Sequence, residues 1–137
     1  PRPIRLKNQS IDVIQQRVPD VPITRASRDT IKGSIAYMRP PRESVRCQHE
    51  TARPGWVISP QWVADAPTTL TPRSPAQTFM LLTQSASNYS QLGADGFRVG
   101  TTLIDQAACY DFQYSQLPDA IAAFDRLAER LKAEGSA

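Results

Sequence analysis

The sequence predicts an α+β fold: an antiparallel sheet of four to six strands, a C-terminal amphipathic helix packed on one face, and an extended N-terminal arm. Three observations carry this expectation. Nine of the twelve prolines precede Thr68, and each one fixes φ and removes a backbone donor, which limits regular structure in the first half. Ala108, Tyr110, Phe112 and Tyr114 alternate with Cys109, Asp111 and Gln113, which is the period of a strand. Ala120, Ala123, Phe124, Leu127, Ala128 and Leu131 recur at helical spacing.

Taken in order, residues 1–27 read as a Pro-punctuated arm and residues 28–137 as a single α+β domain. Within the arm, residues 11–18 have the spacing of a short helix, with Ser10 as its N-cap and Pro19 as its stop. Residues 30–38 read as a strand with Ile31, Gly33, Ile35 and Tyr37 on one face. Residues 45–49 read as a second short strand carrying Cys47, and residues 55–59 as a third, closed by Pro60. Three prolines, three threonines and a serine make residues 66–75 a loop. Residues 77–83 then read as a core strand, and residues 85–91 as a polar loop or short helix. Gly93-Ala94-Asp95-Gly96 has hairpin-turn chemistry between two apolar segments. Residues 97–104 and 108–114 complete the strands. The helix of residues 118–134 opens on Pro118 and Asp119 and stops at Gly135. Glu129 and Lys132 on its polar side can pair.

A chain of 137 residues is long enough to bury a core without a metal or several disulfides. No apolar run approaches the roughly 20 residues that a membrane helix needs. No signal-peptide pattern is visible, and Pro1 leaves open what precedes it. The net charge of +3 is unevenly spread: residues 1–75 hold twelve Lys or Arg against six Asp or Glu, whereas residues 76–137 hold four against seven. A basic first half suits an acidic protein, an anionic surface or nucleic acid.

Cys47 and Cys109 fall in separate expected strands, so a disulfide between them is the expectation. Closing so long a loop would contribute roughly 4 kcal/mol and would imply an oxidising compartment, periplasmic or secreted. His49, the only histidine, lies two residues from Cys47, but strand neighbours two apart lie parallel, which is poor geometry for an activated thiolate. No metal-ligand spacing, phosphate loop or dinucleotide fingerprint is present, so no metal or cofactor is expected. Asp95, Asp105, Asp111, Glu43 and Glu50 are scattered. The basic arm (Arg2, Arg5, Lys7, Arg17, Arg25, Arg28 and Lys32) has no interleaved aromatic residues, which disfavours nucleic-acid stacking. Asn8 and Asn88 each open an N-x-Ser sequon. Ser85-Ala86-Ser87-Asn88-Tyr89 is similar to a loop motif of periplasmic lysozyme inhibitors. That family's second motif is missing and its β-barrel does not suit the terminal helix, so no family is assigned.

The arm nevertheless holds many apolar residues: Ile4, Leu6, Ile11, Ile14, Val18, Val21 and Ile23, with Val13 beside them. Such residues become ordered against a surface. The functional expectation is therefore a non-catalytic extracytoplasmic subunit or adaptor. It would help hold a larger cell-envelope or surface assembly together, meeting other protein subunits through this arm. The alternatives are a small secreted binder or inhibitor acting through residues 66–75, or a basic-arm binder of nucleic acid or anionic surfaces.

Overall fold

The structure, a computed structural model, describes residues 2–31 and 33–134. It divides into two compact units, Pro1–Ala52 and Arg53–Ala137. The fold is α+β, with five helices and two three-stranded sheets among the described residues, rather than one sheet of four to six strands.

Unit 1 contains β1 (Ile4–Lys7), α1 (Gln9–Arg17), β2 (Ser27–Thr30), β3 (Gly33–Met38) and α2 (Arg42–Arg46). Its sheet is antiparallel in the order β1-β3-β2. Ile4 and Leu6 alternate with Arg5 and Lys7, and β1 pairs with β3 so that Leu6 lies opposite Ala36. Leu6, Ala36 and Ile11 of α1 form the core, with Ile14, Ile23, Ala26 and Met38 packed on it. The residues assigned to an arm thus belong to a folded unit whose boundary lies at Ala52, not at residue 27. The prolines sit at element ends, where their missing N–H groups break no ladder: Pro3 before β1, Pro19 and Pro22 after α1, Pro40 and Pro41 after β3.

The strand expected over residues 30–38 is a hairpin instead. Ile31 is fully exposed in the turn, and Gly33 adopts φ 79° just after it. Restarting the strand there turns Ala36 inward and leaves Tyr37 outward. Asn8, not Ser10, is the N-cap of α1. Its backbone N–H donates to Ser34 O (2.9 Å), and its Oδ1 accepts from Ser34 N–H (3.0 Å). Ser10 lies inside the helix, and its hydroxyl accepts from Lys7 N–H at 2.8 Å. Residues 42–46 form α2 rather than a strand, because Pro41 provides a helix entry and leaves Cys47 as the C-cap.

Unit 2 contains β4 (Trp56–Trp62), β5 (Thr69–Pro72), α3 (Pro75–Ser85), α4 (Tyr89–Gln106), β6 (Ala108–Tyr114) and α5 (Leu117–Glu134). β6 is central in the order β4-β6-β5; β4 runs parallel to it and β5 antiparallel. Pro60 lies inside β4, where an edge strand tolerates it. β5 occupies the segment expected to be a loop. The strand of residues 108–114 and the terminal helix lie as expected. The side chains of Leu131 and Lys132, together with Gly135 and Lys32, lie outside the described residues.

The largest departure is the helical pair α3–α4, where two strands and a hairpin turn were expected. The short apolar run at residues 79–82 fits either period. The capping decides it: Ser74 Oγ accepts from Gln77 N–H at 3.3 Å, and Pro75 fills the first turn. Gly93 makes a break within α4, with φ 50° and ψ −128°, and Gly96 continues the helix. Gly100 lets the Phe79 ring close in, since a Cβ there would lie 2.9 Å from Phe79 Cε2. Phe79 also meets Phe97 and Tyr89 edge-on, at 5.4 Å and 6.3 Å between ring centroids.

Phe112 is the packing centre of unit 2, at 2% exposure. It stacks on Tyr114, two residues along the same face (5.4 Å), and meets Phe124 of α5 edge-on (5.0 Å). Ala120 and Leu127 complete the buried stripe of α5. Phe112→Ala is expected to destabilise unit 2 by about 3–5 kcal/mol. The check is a denaturant titration followed by tryptophan fluorescence, since both tryptophans lie on β4. In unit 1, a Cβ at Gly33 would run into Asn8 Oδ1 on a backbone with φ 79°. Gly33→Ala is therefore expected to destabilise unit 1 by about 1–3 kcal/mol. Faster amide hydrogen exchange at Leu6 and Ala36 would register that loss.

Candidate functional site

In unit 1 the chain leaving α1 returns beside the end of β3. Arg39 N–H donates to Pro22 O at 3.1 Å, Val21 N–H donates to Val18 O at 3.1 Å, and Ile23 bridges to Met38. These bonds hold open a recess of about 450 Å³. Val18, Val21 and Met38 supply apolar side chains, and Pro22, Pro40 and Pro41 supply rigid rings without N–H donors. Asp20, Arg39 and Arg42 stand at its rim.

The expected arm residues divide into two groups. Leu6, Ile11, Ile14 and Ile23 are spent on the unit's own core. Val18 and Val21 line the recess, while Ile4 and Val13 are exposed at 40% and 45%. The Ile4/Leu6 alternation was readable as a strand. The recess itself joins segments about 20 residues apart, and no local pattern announces it.

The two cysteines are free thiols, one in each unit, so the expected disulfide is not formed. Cys109 is buried on β6. Cys47 follows α2, a helix and not the strand on which the bridge was argued. Its Sγ lies 3.5 Å from Glu43 Oε1. The Glu50 carboxylate first, and the Glu43 carboxylate second, accept from the S–H and hold the thiol pKa above its ordinary value. That is the opposite of what a nucleophilic thiolate needs. His49 is exposed in the following turn. Among the described residues, no group of three or more His, Cys, Asp or Glu could hold a metal ion.

In unit 2, strand register gathers Ser59 and Gln61 of β4, Asp111 and Gln113 of β6, and Thr69 and Thr71 of β5 on one sheet face. This is the face opposite the Phe112 ring. Arg73 Nη1 donates to Asp111 Oδ1 at 2.5 Å, beside a second recess of about 410 Å³. Its Nε is buried without a partner. Sequence reasoning missed this pair because its members are 38 residues apart. The two charges are committed to each other, so the face offers hydroxyl and amide hydrogen bonding rather than free charge. Of the other scattered carboxylates, Asp95 pairs with Arg98 and Glu43 with Arg46, both on exposed helix surface. Such pairs contribute little. Of the sequon asparagines, Asn8 is held by Ser34, and Asn88 stands at the N-cap position of α4 without a side-chain capping bond.

The Cys47 environment has a measurable consequence. A raised pKa leaves less thiolate at neutral pH, so iodoacetamide alkylation should reach half its maximal rate at a pH above the ordinary thiol value. Glu50→Gln combined with Glu43→Gln should bring that midpoint down, as read by mass spectrometry across pH. Compared with known protein families, curated proteins and solved structures, the chain matches none.

Proposed function

We propose that this protein is a non-catalytic interaction subunit, which binds an acidic, apolar segment of another protein in the recess of unit 1. The observation that carries the reading is an apolar lining (Val18, Val21, Met38) beside Arg39 and Arg42, which outnumber Asp20 there. Rigid proline rings lose little entropy when a ligand settles on them. Unit 1 holds ten Lys or Arg against five Asp or Glu, so carboxylates on the partner are drawn towards it. The expectation of a periplasmic or secreted setting rested on the Cys47–Cys109 bridge, so the compartment is not part of the proposal.

Binding of nucleic acid or another anionic surface is a second reading, supported by the same excess of cations. Tyr37 is the only aromatic residue in unit 1, which offers poor stacking and favours the first reading.

The test is an NMR titration of the full chain with a synthetic amphipathic peptide of leucines and glutamates. Shifts should concentrate at residues 18–22 and 38–42. Arg39→Glu with Arg42→Glu should weaken binding roughly tenfold or more. Absence of shifts there, or equal binding of a leucine–lysine peptide, would refute the reading. A duplex oligonucleotide that binds with steep salt dependence at those residues would replace it with the second.

A further inference from the structure

Between Arg73 and Asp95 the chain carries no Asp, Glu, Lys, Arg or His, in a protein whose residues are 21% charged. The whole of α3 lies in this neutral stretch. One face of α3 is used inside unit 2: Phe79 and Leu82 approach Gly100 of α4, and Thr78 is buried. The other face is not. Ala76, Gln77, Met80, Leu81 and Gln84, at spacings of three, four and seven, line a shallow recess of about 320 Å³ with Arg73 at its edge. Met80 is 57% exposed there. The Arg73 charge is already answered by Asp111. A helix apolar on two sides belongs between two layers, and unit 2 supplies one.

We propose that the second layer is another copy of the same chain, giving a homodimer through an antiparallel α3–α3 contact. A two-fold contact brings a surface against itself, so any net charge on it repels its own image. This face has none, which removes the main barrier to self-association and leaves an acidic, basic or anionic-lipid partner without a countercharge. The order of residues along the face is self-complementary as well. Crossing two copies at the midpoint of Met80 and Leu81 sets Met80 of one copy against Leu81 of the other. It also sets Gln77 of one against Gln84 of the other. A glutamine amide has both donors and an acceptor, so it can bond to another glutamine in either sense. The proposal is independent of the recess in unit 1.

The experiment is sedimentation of the full chain over a range of concentrations, with three variants. The wild type is expected to dimerise. Met80→Lys, at an exposed position, is expected to give monomer with unchanged circular dichroism. The register is tested by two double variants at exposed glutamines. Gln77→Lys with Gln84→Lys sets like charges opposite each other and should weaken the dimer at least roughly tenfold. Gln77→Lys with Gln84→Glu sets opposite charges together and should retain it. A wild type that stays monomeric overturns the proposal. So do double variants that dimerise equally well, which would put the contact elsewhere. Monomer that adsorbs to neutral phosphatidylcholine vesicles would assign the face to lipid instead.

Discussion

The ring of Phe112 lies at the middle of β6, the strand with which both β4 and β5 pair. Its two flanking rings come from different sources: Tyr114 from its own strand and Phe124 from the terminal helix. One side chain therefore ties the sheet to α5, and the rest of unit 2 is arranged around that tie. Because residues on a strand alternate, placing Phe112 inward forces Asp111 and Gln113 outward. The Arg73–Asp111 pair and the polar sheet face follow from that one choice. The α3–α4 pair is built differently, by close approach at Gly100, and leaves much of α3 outside the unit's own core.

Unit 1 depends on a smaller contact. Leu6, Ala36 and Ile11 are its buried apolar residues, and one of them is alanine. A unit of this size supplies little stability from one core, on the order of 3–5 kcal/mol at best. The Asn8–Ser34 pair compensates by fixing the start of α1 to β3 with two hydrogen bonds. Gly33 is required there because its neighbour is that same asparagine side chain. The backbone bonds of residues 18–23 and 38–39 then shape the recess without help from a large core.

What the sequence made legible was the periodic part. β6 and α5 were readable because seven alternating residues and an 18-residue stripe each satisfy only one period. The α3–α4 pair was misread because residues 79–82 fit both periods and Asp95-Gly96 resembles a turn. The cap Ser74-Pro75-x-Gln77 was the local signal that could have corrected it. Proline density in residues 1–27 points to an extended arm with one short helix, whereas these prolines punctuate the elements of a folded unit. The candidate sites were the least legible. Arg73 and Asp111, or Val21 and Met38, meet only through chain topology, and no spacing along the sequence encodes that meeting.

The two proposed contacts differ in kind, and the difference follows from where the charges fall. Unit 1 concentrates cations around an apolar recess, so its partner is chosen partly at long range and added salt weakens that choice. The α3 face lacks charge over a whole helix, so it acts only at contact, through apolar burial that salt does not screen. A strongly excluded salt such as sulfate strengthens that burial. The two contacts should therefore respond oppositely to the same salt. A surface without charge has no long-range selectivity of its own and must rely on shape and on residue order. In the proposed dimer that selectivity comes from the order of Gln77, Met80, Leu81 and Gln84, since an antiparallel second copy sets Met80 against Leu81 and Gln77 against Gln84.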